Sequence, residues 1–278
     1  MIWQLTDIEQ HYHDFTLRIP RLSGESGEIM GFIGPNGAGK TTTIRILMGL
    51  LNPCAGRIQV LGEDFPPRSS GIYNRIGYIG EKQGFYYQAS CDYNLTFMAS
   101  VFSDWDRSRM DELIRRLKLP RQKRVSELSK GNLAKLGLVC ALSHHPLLLV
   151  MDEPTSGLDP LVRQELIQLL LEYHRSDGCH IFFSSHIIED MEDIATRLVF
   201  ISDGTVIADF PAGDYLLYSF SPGEIISDIL NRVAVFSNRE LMILPSDFNR
   251  SDLELKGSIR PIGLKELALT ILKSIRYD

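Results

Sequence analysis

The segment Gly34-Pro-Asn-Gly-Ala-Gly-Lys-Thr41 constrains this chain more than any other. It satisfies the pattern G-x-x-x-x-G-K-[ST], follows the apolar run Ile29–Ile33 and precedes a helix expected over Thr41–Leu51. A strand before and a helix after distinguish a phosphate-binding loop from a glycine-rich turn carrying a chance lysine. In such a loop (Gly34, Pro35, Asn36, Gly37, Ala38, Gly39) the glycines let consecutive backbone N–H groups turn toward one anion. The helix N-terminus, at Lys40, Thr41 and Thr42, adds partial positive charge. Lys40 is positioned to reach the β- and γ-phosphates of a nucleotide, and the Thr41 hydroxyl to ligate Mg²⁺.

A loop of this kind belongs at the end of a parallel strand, and the rest of the chain reads as alternating strand and helix. Strands are expected at Ile29–Ile33, Arg57–Leu61, Ile76–Ile79, Leu147–Met151, Ile181–Ser184 and Val199–Ile201. Leu147–Met151 is apolar throughout, as a strand covered on both faces is. Asp159-Pro160 sets an N-cap before a proline at the first helical position, with Leu166, Ile167 and Leu170 at helical spacing. Ile188, Met191, Ile194, Ala195 and Leu198 form a second amphipathic stripe. Ser202-Asp-Gly-Thr205 reads as a turn between short strands.

The segment Arg18–Gly27 reads as irregular. From about Gly84 to Leu128 helical stretches such as Met110–Leu117 replace the strand signal, which implies a helical insertion. Beyond Asp214 strand and helix signals mix without recognisable chemistry. The expected organisation is one domain over 1–214, with a helical subdomain at about 84–135, and a small C-terminal extension over 215–278.

Composition narrows the class. A chain of 278 residues with 44% hydrophobic and 23% charged residues has the make-up of a globular protein long enough to bury a sizeable core. The balance of 29 basic against 35 acidic residues, net −6, argues against neutralising a nucleic-acid backbone. Cys54, Cys91, Cys140 and Cys179 are scattered, which suits a reducing compartment and no zinc or disulfide framework. No apolar run approaches the ~18 residues of a membrane span, and MIWQLTDIEQ lacks a basic signal-peptide start. A role at a membrane would then come through a partner.

Met151-Asp-Glu-Pro154 ends the most apolar run. A strand buried on both faces delivers its C-terminal side chains to the crevice where α/β folds bind ligands. Asp152 would hold Mg²⁺ through water, and Glu153 would accept a proton from an attacking water. Alone, Asp-Glu after a strand reads as a solvated loop; the phosphate loop turns the reading toward chemistry.

Three further segments complete an order. Leu128-Ser-Lys-Gly-Asn132 precedes the carboxylate strand, Ser156-Gly-Leu-Asp159 follows it, and Ser184-Ser-His186 ends the next strand. With GPNGAGKT and MDEP, this order over about residues 1–210 resembles the ATP-binding subunits of ABC transporters. The LSKG and DEPTSGLDP segments look most like the ATPases of bacterial exporters of drugs, antimicrobial peptides or lipid-linked compounds. The resemblance implies an α/β fold: a P-loop NTPase (RecA-like) core with a mostly parallel sheet, an antiparallel β subdomain and a helical insertion.

It also implies ATP and Mg²⁺ as ligands and a head-to-tail dimer with a second nucleotide-binding subunit. Ser129 and Gly131 of one chain would face the γ-phosphate held by the other, although Ser129 also reads as a plain helix cap. Asp159 carries the same double reading. His186 would hydrogen-bond the γ-phosphate and help place the attacking water. Tyr12 falls near the position of an adenine-stacking ring, against a plain surface or core tyrosine. His11-Tyr-His13 reads more simply as a solvated loop than as a metal site.

Glu81 stands where the family offers a glutamine that senses Mg²⁺ and the γ-phosphate, so it joins Thr41 and Asp152 as a candidate metal ligand. The alternative is an ordinary surface glutamate. LSKGN likewise departs from the common LSGGQ. The implied partner is an integral membrane permease, contacted near Tyr86 and Tyr87, with the chain peripheral at the cytoplasmic face of the membrane and no nucleic acid bound. Rival readings are a soluble ABC ATPase acting on ribosomes or DNA, and a P-loop small-molecule kinase. A single cassette without heptad runs disfavours the first, and the LSKGN and SGLD segments disfavour the second.

Overall fold

The chain opens with a hairpin of two nine-residue strands, β1 (Trp3–His11) and β2 (Thr16–Gly24), which corrects the irregular reading of Arg18–Gly27. The inward residues of β2 are Leu17 and Ile19, then Leu22 and Gly24, so the alternation loses phase at Pro20-Arg21. The partner strand slips at the same level, where Leu5 and Ile8 are buried on either side of Asp7 with φ 51°. A period-2 pattern interrupted by such an irregularity is invisible along one strand and closes only when two are paired. The structure, a computed structural model, describes residues 1–67, 70–192, 194–213, 215–219, 234–237, 240–243, 258–263, 266–267 and 271.

Strand β3 (Ile29–Ile33) leads through the glycine-rich loop into α1 (Lys40–Leu47). The helix ends before the expected Leu51 because Gly49 takes φ 66° and Leu50 N–H bonds back to the Arg45 carbonyl at 2.8 Å. A left-handed glycine closing the last turn is the usual stop. Strands β4 (Ala55–Val60) and β5 (Glu63–Asp64) follow. Leu61, expected in the strand, belongs to the turn with Gly62, both at positive φ.

Strand β6 (Ile76–Ile79) precedes three helices, α2 (Cys91–Val101), α3 (Arg107–Leu117) and α4 (Lys130–Leu142). Each starts at a side-chain cap. Ser90 accepts from Tyr93 N–H, Asp106 from Ser108 and Arg109 N–H, and Ser129 from Asn132 N–H. Strand β7 (Leu148–Asp152), helix α5 (Pro160–Asp177, capped by Asp159) and strand β8 (His180–Ser185) follow. The short helix α6 (Glu189–Glu192) is all that forms of the stripe expected over Ile188–Leu198. Thr196 N–H bonds to the Ile29 carbonyl at 2.9 Å, drawing Leu198 into β9 (Arg197–Ser202). Asp203 and Gly204, at φ 45° and 76°, make the expected tight turn into β10 (Thr205–Pro211).

These strands form one ten-stranded sheet, β5-β4-β1-β2-β10-β9-β3-β8-β7-β6. The run β9-β3-β8-β7-β6 is parallel throughout, and no residue of β3, β7 or β8 is exposed. One face packs Ile181 and Phe183 against Leu136, Val139, Leu166 and Leu170 of α4 and α5. The other packs Phe182 and Val199 against Ile44 and Leu47 of α1 and Trp3 and Leu5 of the hairpin. Burial on both faces explains the unbroken apolar runs.

Four more strands, β11 (Tyr215–Ser219), β12 (Ala234–Ser237), β13 (Glu240–Ile243) and β14 (Ser258–Ile262), pair antiparallel in a second sheet. Ile262, Leu267 and Ile271 share a buried cluster with Phe210. The expected boundary at Asp214, and much of the extension 215–278, lie outside the described residues.

A buried histidine ties the hairpin to the core. Trp3 Nε1–H donates to His180 Nε2 at 2.9 Å, and His180 Nδ1–H donates to the Glu25 carbonyl at 2.7 Å. Gly24 leaves room for them, since a Cβ there would lie 2.3 Å from Trp3 Nε1. Burial, above all, pushes His180 down to about 4. The unfolded chain takes up this proton below about pH 6.5 while the native state refuses it, so stability falls as pH drops from there toward 4. The shift corresponds to about 3 kcal/mol at about 1.4 kcal/mol per pH unit. Urea unfolding between pH 7.5 and 4 should show this loss. His180→Gln, which keeps an acceptor for Trp3 but does not titrate, should reduce the pH dependence by about that amount; an unchanged dependence would assign the loss to other groups.

Candidate functional site

The C-terminal ends of β3, β7 and β8 meet at one edge of the sheet, and their following residues converge on a cavity of about 510 Å³. That size suits a nucleotide-sized ligand. Its floor is the glycine-rich loop and the start of α1, contributed by Asn36, Gly37, Gly39, Lys40, Thr41 and Thr42. Gly37 and Gly39 adopt φ 82° and 109°, which L side chains rarely take. Gly34, under the loop, has no room for a Cβ, which would lie 2.3 Å from the Ile201 carbonyl oxygen. Pro35 and Ala38 complete the turn, in which Ala38 N–H donates to the Pro35 carbonyl at 3.2 Å. Gly39 caps α1 without a side-chain bond, so the first N–H groups of the helix are left for a ligand at its N-terminus.

Lys40 is buried, its side chain 6% exposed. Its ammonium donates to the Gly34 and Pro35 carbonyls at 2.8 and 3.1 Å. It also stands 3.2 Å from Glu153 Oε1, a charge contact without hydrogen-bond alignment. The other carboxylate oxygen of Glu153, Oε2, lies 2.6 Å from His186 Nδ1. Lysine, glutamate and histidine thus form a chain along one wall.

Ser184 of β8 holds the two adjacent carboxylate residues in register. Its hydroxyl donates to Asp152 Oδ1 at 2.7 Å and accepts from Glu153 N–H at 3.1 Å. The same N–H approaches the Ser184 carbonyl at 3.2 Å. Asp152 is 1% exposed and is not among the residues lining the cavity, while Glu153, at φ 52°, is one of them. A glutamate in left-handed backbone costs on the order of 1–3 kcal/mol and persists where neighbours over-determine it.

The mouth is aromatic. The turn joining β1 to β2 brings Tyr12 and Phe15 to the cavity with ring centroids 6.1 Å apart. Glu81, just beyond β6, and Ser156 close the rim. Sequence reasoning missed Phe15 and Ser156. Phe15 carried no signal of its own because the β1–β2 hairpin that brings it to the cavity was not expected, whereas Ser156 lay inside the quoted SGLD segment without being assigned to the site.

Ser129 and Gly131 lie apart from this cavity, at the start of α4. Ser129 Oγ accepts from Asn132 N–H at 3.2 Å, the capping arrangement, and Asp159 Oδ1 accepts from Val162 N–H at 3.1 Å. A Cβ at Gly157 would lie 3.1 Å from Lys130 Nζ, so the LSKGN and SGLD segments adjoin each other.

The donor set suits a hard divalent cation. The Thr41 hydroxyl and the Asp152 and Glu81 carboxylates are oxygen ligands of the type Mg²⁺ selects, and Ser184 already orients Asp152. The cavity wall carries Lys40 against Glu81 and Glu153, so a polyphosphate would enter a wall with more acidic than basic groups. A cation accompanying the polyphosphate resolves that conflict.

Among the described residues, no helix is long and apolar enough to cross a membrane. The ABC transporter family profile matches residues 17–156, half of the chain. The bacitracin transport ATP-binding protein BcrA of Bacillus licheniformis is 38% identical over 189 residues, spanning 67% of this chain and 62% of that protein. The ATP-binding subunit of an ABC transporter superposes with a TM-score of 0.69 at 28% identity, over 76% of this chain and 90% of that one. A dimeric, post-hydrolysis ATP-binding cassette, MJ0796 with ADP and phosphate bound, has the same fold, with a TM-score of 0.69 at 20% identity over 76% of this chain and all of that one. The doubly covered parallel sheet and the glycine-rich loop that opens α1 are thus those of a P-loop NTPase, and the chain belongs to the ABC transporter family.

Proposed function

We propose that this chain is the ATP-hydrolysing subunit of an exporter, coupled to a separate membrane permease and acting on drugs or antimicrobial peptides. The observation that carries the reading is Glu153, suspended between Lys40 and His186 on the wall of a nucleotide-sized cavity. A carboxylate with one oxygen near a cation and the other against an imidazole is oriented to take a proton from water in that cavity.

The backbone N–H groups of the loop from Gly34 to Thr42 bind the phosphates of ATP, and Tyr12, with Phe15 beside it, stacks on the adenine. Lys40 exchanges its carbonyl partners for the β- and γ-phosphates. Thr41, Asp152 and Glu81 would hold Mg²⁺, directly or through water. The ion would neutralise phosphate charge and orient the γ-phosphoryl group. Glu153 is the general base. His186 keeps Nδ1 toward Glu153 and presents its other ring nitrogen to the γ-phosphate.

The second half of the site comes from another copy or a related subunit, whose Ser129 hydroxyl and N–H groups near Gly131 face the same γ-phosphate. That a cassette of the same fold is dimeric with ADP and phosphate bound supports the pairing of two such subunits. ATP drives closure because it binds the closed dimer more tightly than the open one.

The surface of α2 and the loop before it is the proposed permease contact, at the cytoplasmic face of the membrane. Tyr86, Tyr93 and Phe97 are 51%, 55% and 41% exposed yet pack edge-on, with Tyr86 5.8 Å from Tyr93 and 5.2 Å from Phe97. Asn94 holds this loop by bonding both the N–H and the carbonyl of Tyr86. An exposed aromatic patch on a rigid support is what partner surfaces use.

Glu153→Gln should retain ATP binding and lose about 10²–10⁴-fold in turnover, because an amide does not accept the proton. Steady-state ATPase rates and size-exclusion chromatography with ATP should show a slow, dimeric variant; near-normal turnover would remove Glu153 from the base role. Lys40→Ala and Ser129→Arg should each be inactive alone, yet regain activity when mixed, since one intact composite site forms per heterodimer. No recovery despite proven subunit exchange would overturn the shared site. Tyr93→Asp with Phe97→Asp should abolish co-purification with a membrane permease while basal ATP hydrolysis stays within about twofold, there being no contact with the cavity. Retained co-purification would move the docking surface elsewhere.

A further inference from the structure

The carboxylate of Asp190 belongs to no motif of the nucleotide site, yet it is wholly buried and accepts from three side chains of different elements. Thr155 Oγ1–H donates to its Oδ2 at 2.5 Å, and Ser185 Oγ–H donates to the same oxygen at 3.3 Å. Arg163 Nε–H, from the first turns of α5, donates to Oδ1. Ser185 Oγ also accepts from Ile187 N–H at 2.9 Å, closing the turn that follows β8.

The donors define what this carboxylate joins. Thr155 lies between Glu153 and Ser156, both on the cavity wall, and Ser185 directly precedes His186. Glu153 and His186 come from different strands, β7 and β8, and leave them through separate loops. Strand pairing ends at Asp152 and Ser184. Past that point, hydrogen bonding to Asp190 is a link common to both loops, while Arg163 supplies the countercharge that a buried carboxylate requires.

We infer that Asp190 is a positioning residue that sets the distance between Glu153 and His186 by clamping Thr155 and Ser185 to one carboxylate. The inference rests on the ATPase reading for its consequence, and on the hydrogen bonds alone for its geometry. Misplacing a base or a water-orienting group by about 1 Å costs on the order of 10²-fold in rate. The cavity floor, built from the loop before α1, does not touch this network, so nucleotide affinity should be spared.

The test uses the full chain with Asp190→Asn, Thr155→Val and Thr155→Ser. For Asp190→Asn, kcat should fall by about 30- to 100-fold with KM for MgATP within about threefold. Thr155→Val should lose activity in the same way, and Thr155→Ser, which restores the hydroxyl, should recover most of it. Combining Asp190→Asn with Glu153→Gln should slow the enzyme little beyond Glu153→Gln alone, because both act on one group. Independently of turnover, the hydrogen-bonded Nδ1–H resonance of His186 in the nucleotide-free protein should weaken or vanish in Asp190→Asn and Thr155→Val. That of buried His180 should persist in both.

If wild-type protein shows the His186 dependence but hydrolyses no ATP, the ATPase reading fails and the clamp stands. If the His186 resonance and kcat are both unchanged in Thr155→Val, or if the losses in the double variant multiply, the clamp is overturned. Should Asp190→Asn not fold, the Thr155→Val and Thr155→Ser pair decides by the same measurements.

Discussion

The bonding of Ser184 to Asp152, the last residue of β7, and to Glu153 just after it is the contact on which the site depends. One hydroxyl orients the Asp152 carboxylate and accepts the Glu153 N–H, so a single side chain fixes both the buried acid and its neighbour on the cavity wall. This works only because β7 and β8 are hydrogen-bonded in register up to Asp152 and Ser184. Rigid, doubly covered strands are what allow charged groups to be held with small tolerance at their ends.

The same rigidity makes an unusual backbone tolerable. Glu153 departs from its strand in left-handed conformation and is restrained by Ser184 behind it and by Lys40 and His186 in front. Lys40 in turn satisfies the carbonyls of Gly34 and Pro35. The Lys40 charge is thus compensated and held in place by the loop carbonyls and by Glu153. Such preorganisation lowers the reorganisation needed when phosphate charge arrives.

Elements far apart in the chain meet through polar side chains as well as packing. His180 joins the hairpin to β8 at one end of that strand. Asp190 joins the loops that leave β7 and β8 at the other. Both are fully buried polar groups with partners, the condition under which such groups specify an arrangement instead of weakening it. The hairpin and the two site loops are therefore held to the sheet at opposite ends of one strand.

Elements whose chemistry is local can be read from the chain alone. Gly34–Thr41 has to be a loop between a strand and a helix, Asp159-Pro160 has to start a helix, and Asp203-Gly204 has to turn, because backbone freedom and capping act over a few residues. The central strands were legible for a similar reason: Ile29–Ile33 and the run ending at Met151 are apolar enough that only the covered interior of the sheet accommodates them. The remaining features depend on partners remote in sequence. The β1–β2 hairpin disguised itself because its two strands lose phase together at Asp7 and Pro20-Arg21, and pairing absorbs the slip. The helix expected over Ile188–Leu198 gave way to β9 because a bond to Ile29 in β3 takes precedence over local periodicity. Phe15 reached the cavity only through that hairpin, and Asp190 acquired its partners only when α5, α6 and the ends of β7 and β8 came together. Local backbone preferences are written residue by residue, whereas pairing register and buried hydrogen bonds exist only between segments that folding brings into contact.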